Sequence, residues 1–230
     1  MRLIDEVYTR YPFFGTRQMA DYLQLQGHVI NRYPVRNVYA KLGLQSTSPG
    51  PRTTQRAPAH PVYPYLLRNV PIIAVNQVWS SDITYCRLKQ GFAYWVAIID
   101  WLSRYVLGWQ LSISLEADFC IETLERVLAQ GCCLIFTTDQ GSQFTCQGFT
   151  GLLLAQGIQI SMDGKGRALD NIFVERLWRT VKYECIYLQE WHPVKMMRQG
   201  LEDYFNFYND QRPHQALGGR TPASVYFSFS

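Results

Sequence analysis

The 230-residue sequence contains no Cys-x-x-Cys pair, and its four histidines (28, 60, 192 and 214) lie far from any pair of its six cysteines. Those absences exclude the usual paired-ligand zinc modules. Long apolar runs are missing too. The longest, residues 92–99, falls well short of the ~20 residues that a helix needs to cross a bilayer. The first ten residues carry Arg2, Asp5 and Glu6 and no apolar stretch, unlike a secretion signal. No internal repeat is evident. The expectation is a soluble, cytoplasmic protein without membrane contact. Its cysteines at 86, 120, 132, 133, 146 and 185 are expected to be reduced, most of them in the core. Disorder is excluded, because 47% of the residues are apolar, enough for a substantial core.

A strong charge of one sign is also lacking: the net value is only +4. The balance is nevertheless uneven. Residues 1–70 hold nine Lys or Arg against three acids, whereas residues 71–230 hold thirteen against fifteen. A basic arm before a mildly acidic body points to a polyanion for the arm and to something cationic for the acids. Within the arm, residues 16–26 and 34–42 carry helical apolar spacing, each followed by a glycine, Gly27 and Gly43. Two short helices about a glycine turn resemble a helix-turn-helix. Arg36 and Asn37 on the second helix are then available to bases or phosphates. Five of the eleven prolines fall at 49, 51, 58, 61 and 64, which marks an extended linker.

The body reads as strands over 78–88, 91–99, 105–113, 132–138 and 158–162. Helices are expected over 117–130, 149–156, about 170–188 and 193–208. Three adjacent strands followed by alternating helices and strands imply a mixed five-stranded α/β sheet with helices on both faces. The expected organisation is a helix-turn-helix-like region over 1–45, a Pro-rich basic linker over 46–74, a catalytic core over 75–190 and a helical tail over 191–230.

Three acids stand out by context. Asp82 sits inside the first strand among Trp79, Ile83 and Tyr85, where a carboxylate is costly to bury unless it is paired or metal-bound. Asp139 directly follows an apolar strand. Glu175 lies on the predicted long helix, with thirty-five residues between it and Asp139. Converging carboxylates repel one another unless a cation neutralises them, and hard oxygen donors suit magnesium or manganese. On a helical wheel Asn171, Glu175, Arg179 and Lys182 share one face, with Phe173, Leu177 and Val181 opposite. That face is either a site flanked by cations or a plain solvated face supported by a Glu175–Arg179 pair. Asn171 is equally a helix N-cap. Asp100 is read as a turn residue paired with Arg104, and His214 as structural. Tyr204, Phe205, Phe207 and Tyr208 are read as core.

Four blocks then come together. Trp79-x-x-Asp82-Ile-Thr-Tyr, Asp139-Gln-Gly-Ser-Gln-Phe-Thr, and the stretch from Ser161 through Asp170-Asn171-x-x-x-Glu175-Arg to Lys182 closely resemble bacterial insertion-sequence transposases of the IS-three type. The tail Tyr204-x-x-Phe207-Tyr208-Asn209-x-x-Arg212-Pro213-His214, followed by Thr221-Pro222, resembles that family's C-terminal block. The resemblance covers nearly the whole chain. It implies a ribonuclease-H-like integrase core whose Asp-Asp-Glu triad maps onto Asp82, Asp139 and Glu175, with Lys182 as the basic residue after the Glu. It further implies two magnesium ions, replaceable by manganese, with cleavage at transposon ends and strand transfer by transesterification. Lys165, Arg167, Arg179, Lys182 and Asn171 are then candidate DNA contacts, alongside Arg36 and Asn37. Implied partners are double-stranded DNA (transposon ends and target) and further copies of the chain.

Two departures from the family pattern are visible: Cys146 stands where a serine is usual, and no heptad run precedes Arg17. Set against the family pattern, the second leads to the expectation of a second-frame or truncated product, with the upstream-frame protein as a further partner. A ribonuclease-H-like nuclease that cuts without joining, or a DNA-binding regulator of a full-length enzyme, are the competing expectations.

Overall fold

Backbone pairing and burial separate the chain into two units, residues 1–53 and 54–230. The computed structural model describes residues 1–11, 14–44, 61–88, 91–163, 172–188, 190–191 and 193–229.

The first unit comprises α1 (Arg2–Arg10), α2 (Thr16–Leu25) and α3 (Arg32–Leu42). The last two are the expected pair. Asn31 caps α3 by accepting from the Tyr33 N–H, and Gly43 ends it at φ 64°, a left-handed conformation that glycine adopts without penalty. Ile4, Met19, Ala20, Leu23, Val35 and Tyr39 form the core, with the Tyr39 hydroxyl donating to the Phe14 carbonyl at 2.8 Å. α1 lies outside the expected pair, although Leu3, Ile4, Val7 and Tyr8 recur at helical spacing; Ile4 is buried, and Val7 and Tyr8 pack against the core.

The second unit is built on β1 (Val78–Arg87), β2 (Phe92–Asp100), β3 (Val106–Ser112), β4 (Ile135–Thr138) and β5 (Gln159–Met162). Their order across the sheet is β3-β2-β1-β4-β5, with β1, β2 and β3 antiparallel and β4 and β5 parallel to β1. This is the mixed five-stranded sheet the sequence implies.

Alternation along the strands assigns each face its helices. Ala93, Trp95, Ala97 and Ile99 face one cluster, with α7 (Ile172–Glu184) and α8 (Val194–Asp210). Trp79, Val96, Ile98, Phe136 and Ile160 face the other, with α4 (Asp118–Leu128) and α6 (Gln147–Ala155). The four-residue α5 (Ser142–Thr145) links β4 to α6.

Part of the stretch expected to be linker lies against this unit. Leu67 is buried with Val78 and Trp101, and the Leu66 N–H donates to Ser161 Oγ at 3.1 Å. Residues 45–60, which hold the linker's first prolines, lie outside the described residues. The cysteines are free: 120, 133 and 185 are buried, 86 and 146 half-buried, and Cys132 is exposed.

The tail motif has a mechanical explanation. Asn209 on α8 brackets the edge strand β3, accepting from the Val106 N–H at 2.9 Å and donating to its carbonyl at 3.0 Å. Glu184, the last residue of α7, accepts two hydrogen bonds from Arg212, at 2.8 and 2.6 Å, and one from the Tyr204 hydroxyl at 2.8 Å. Tyr204, Phe205 and Tyr208 are core, as expected, whereas Phe207 is 42% exposed because it falls on the outer face of α8. The chain returns to the start of β1 at its end. From α9 (Pro222–Tyr226), Tyr226 donates to Asn76 Oδ1 at 2.8 Å and stacks on Tyr105.

Asp100 is fully buried and holds the expected turn with Arg104, whose N–H donates to the Asp100 carbonyl at 3.0 Å, while the Asp100 carboxylate takes other donors. Its Oδ2 accepts from the Asn76 N–H, and its Oδ1 accepts from the Ser103 N–H and hydroxyl. The Arg104 guanidinium lies 3.6 Å over the Phe173 ring instead.

This packing makes stability testable at two points. A Cβ at Gly200 would lie 2.1 Å from the Trp191 ring, which is anchored through its Nε1 donating to the Ile186 carbonyl. Gly200→Ala should therefore cost about 1–3 kcal/mol in urea unfolding. Hydrogen bonding from Arg212 holds the Glu184 carboxyl below its usual range. A depressed acid stabilises the fold above its unfolded value and loses that contribution as pH falls through its folded one. The stability gap between the wild type and Glu184→Gln should be fully present at pH 7. For a pair this exposed it should stay under about 1 kcal/mol, and it should close as pH drops below the ordinary glutamate value of 4.5.

Candidate active site

Asp82 is the acid most constrained by its surroundings. It lies in the middle of β1, opposite Ala97 on β2, on the face that packs against α7. The parallel register Val78↔Ile135, Trp79↔Phe136, Ser80↔Thr137, continued two residues, sets Asp139 beside Asp82 at the end of β4. Adjacent strands lie about 4.8 Å apart, so the two carboxylates are neighbours by construction.

Both acids are half-buried. Burial pushes the Asp82 carboxyl up to about 7, and the charge of Asp139 pushes in the same direction. Hydrogen bonds from the Trp178 indole and the Ile83 N–H oppose the rise, and the charge of Glu175 adds to it. Burial also raises Asp139, against a bond from the Gly141 N–H to its Oδ1 at 2.9 Å. A Cβ on Gly141 would lie 2.9 Å from that same oxygen, so the close approach requires glycine.

The third acid comes from α7. Its apolar residues Val174, Leu177, Trp178 and Val181 are buried on the sheet. Glu175 and Arg179 are exposed, and Lys182 is half-buried. The Lys182 ammonium sits 5.8 Å from the Tyr85 ring centre and 6.0 Å from that of Trp95. Burial lowers its pKa, while Cys86 and Asp82 act against that lowering. Lys182 therefore belongs to the same neighbourhood as Asp82.

Asp82 thus senses the charges of both Asp139 and Glu175, yet among the described residues no group of three His, Cys, Asp or Glu is arranged to hold a metal ion. What fits a divalent cation is the donor chemistry of Asp82 and Asp139: adjacent, half-buried hard oxygens whose mutual repulsion a cation would relieve.

Lys165, Arg167 and Asn171 lie outside the described residues. In the first unit, Arg36 and Asn37 are exposed on α3. His214 is structural: its backbone N–H donates to the Arg220 carbonyl, and its carbonyl accepts from Leu217 and Gly219.

One residue of the site is absent from the sequence-based candidates: Trp178, whose Nε1 donates to Asp82 Oδ2 at 3.0 Å. The wheel holds the signal. Position 178 is three residues past Glu175, between the apolar line 174-177-181 and the polar line 175-179-182, where an amphipathic side chain can serve both.

Comparison with known proteins agrees with this layout. Residues 74–168 and 156–222 match integrase core domain profiles, and residues 1–52 match an HTH-like domain. The transposase InsF for insertion sequence IS3A of Escherichia coli (strain K12) is 30% identical over 216 residues, covering 91% of this chain and 75% of that protein. The transposase for insertion sequence element IS629 of Shigella sonnei is 28% identical over 228 residues, covering 97% and 76%.

Among solved structures, the simian T-cell lymphotropic virus intasome, in complex with a PP2A regulatory subunit, superposes with a TM-score of 0.59. That match is at 15% identity over 92% of this chain and 74% of that one. The magnesium complex of the HTLV-2 integrase catalytic core gives 0.51 at 17% identity, over 68% and 98%. Likeness at such low identity speaks to fold, and the fold is the ribonuclease-H-like integrase sheet expected from the motifs. With nine-tenths of its length aligned to these bacterial enzymes over that sheet, the chain belongs to the IS3-type insertion-sequence transposases.

Proposed function

We propose that this chain cuts DNA at the transposon end to free a 3′-hydroxyl and joins that end to a second phosphodiester by transesterification. One observation carries the assignment of the site. What supports it is adjacency at Asp82: the β1–β4 register sets Asp139 beside it, and Asp139 and, as the smallest cause, Glu175 add to the rise that burial gives its pKa.

Asp82, Asp139 and Glu175 are proposed to hold two magnesium ions, with manganese as a substitute. When bound, the cations supply charge neutralisation and Lewis-acid stabilisation to the attacking and leaving oxygens.

The protein's own contribution is positioning. The Gly141 N–H fixes Asp139 at the end of β4. The buried face of α7, with Val174, Leu177, Trp178 and Val181, packs on the sheet and so fixes the helix that carries the exposed Glu175 in its first turn. Lys182 and Arg179 on that helix, with Lys165, Arg167 and Asn171 before them, are proposed to contact the DNA backbone. Arg36 and Asn37 would approach a groove from α3. In this reading the chain works in the bacterial cytoplasm, on double-stranded transposon ends and target, with further copies of itself and with the upstream-frame protein.

A nuclease without joining activity and a DNA-binding regulator share much of this description, and their products separate them. Incubating the chain with a pre-cleaved end and magnesium should yield joined strands. Cut but unjoined DNA would favour the nuclease, and binding without cutting the regulator. Asp139→Asn should reduce both cleavage and joining by at least ~100-fold and leave DNA affinity largely intact; retained catalysis would overturn the assignment. Gly141→Ala should lower joining through displacement of Asp139 while leaving DNA binding unchanged. In a salt titration of end binding, Lys182→Ala should weaken affinity and reduce the log–log slope by about 1.

A further inference from the structure

The β1 side chains on the Asp82 face enter an apolar layer: Ala93, Trp95 and Ala97 from β2, and Val174, Leu177, Trp178 and Val181 from α7. The residue opposite Asp82 is Ala97, whose small side chain leaves room for the indole of Trp178. That indole is 6% exposed and lies edge-on to Trp95, with ring centres 6.1 Å apart and planes at 90°. A buried indole N–H needs an acceptor, and here the acceptor is Asp82 Oδ2 at 3.0 Å.

Two consequences follow from the chemistry of this donor. First, the indole N–H, like the Ile83 N–H that also reaches this carboxylate, is neutral, so it orients Asp82 without cancelling its charge as an Arg or Lys partner would. The neighbouring cation, Lys182, lies over the Tyr85 and Trp95 rings. Lys182 and Asp82 influence each other electrostatically, but no ion pair joins them among the described residues, so the carboxylate has no direct cationic partner there. Second, Trp178 is one helical turn beyond Glu175. The bond consequently ties the strand that carries one acid to the helix that carries another.

We propose that Trp178 is the positioning residue of Asp82: its indole N–H holds Oδ2 in one orientation and couples the carboxylate to the Glu175 helix, so that a divalent cation meets a preset acid. The inference rests on the reading of Asp82, Asp139 and Glu175 as the cation-holding acids, and the experiment separates the two claims. Partners that orient a metal-holding side chain are generally worth a tenfold to hundredfold change in metal affinity.

The test uses the full chain without DNA and follows manganese binding by the loss of the free-ion EPR signal. Three variants are compared with the wild type. Trp178→Phe keeps a ring against Trp95 and removes the N–H. Benzothienylalanine at position 178 keeps the bicyclic shape and replaces only the N–H by sulfur. Asp82→Asn reports on the site itself.

Both position-178 variants should bind manganese roughly 10-fold or more weakly, with thermal midpoint and end-DNA affinity close to wild type. In strand transfer the magnesium concentration for half-maximal rate should rise by a similar factor. If Trp178→Phe fails to fold, the sulfur isostere decides. Wild-type manganese affinity in the isostere, together with loss of binding in Asp82→Asn, would overturn the positioning role and leave the site standing. Unchanged binding in Asp82→Asn would overturn both.

Discussion

Two carboxylates on neighbouring strands, half-buried and each raising the other's cost of ionisation, set the terms for the second unit. Parallel pairing of β1 and β4 brings Asp82 and Asp139 alongside one another, and no rearrangement of side chains undoes that. A fold that gathers like charges in this way carries a local penalty of several kcal/mol unless a cation or a proton offsets it. The surroundings are arranged around that penalty. The donors that reach the two acids are the Gly141 and Ile83 N–H groups and the Trp178 indole, all neutral. They orient the carboxylates and leave the charge in place.

The helix that brings Glu175 must then be held firmly, and it is held at both ends of its buried stripe. Toward its start, Phe173 stacks edge-on to Trp101 at 4.9 Å and lies under the Arg104 guanidinium. At its finish, Glu184 is gripped by Tyr204 on α8 and by Arg212 just beyond that helix. Between them Val174, Leu177 and Val181 are buried in the apolar layer over Trp95 and Ala97. The tail motif, far from Asp82 in sequence, thus serves the site by fixing the far end of α7.

Much of this architecture is legible in the order of the residues. The strands of the body announce themselves by alternation, and β4 ends one residue before Asp139, as the motif implies. The wheel over α7 separates the buried side from Glu175 and Arg179 correctly. What stays hidden has a physical reason in each case. α1 spans only nine residues, and its stripe of Ile4, Val7 and Tyr8 is fully buried at Ile4 alone, a short signal. Phe207 looks like core by composition, but one position on α8 turns it outward. The Asp100 turn reads correctly in place and closes on Arg104 through the backbone, but its carboxylate is used on backbone and hydroxyl donors 24 and 3 residues away. Trp178 escapes notice because periodicity sorts residues into buried or polar, and an indole at the boundary is both.

The bond between Tyr226 and Asn76 spans 150 residues, joining the last helix to the turn that leads into the first strand. Asn76 holds a left-handed backbone conformation, φ 60°, and its Oδ1 also accepts from the Trp79 indole. Contacts this remote in sequence form late, after the loop-closure entropy between them has been met. On the ribosome, at 5–20 residues per second, the entry to β1 would wait roughly 8–30 seconds for its partner to be synthesised. During that interval the strand bearing Asp82 would exist without its final latch. The entry to β1 therefore gains its final contact only once α9 is made.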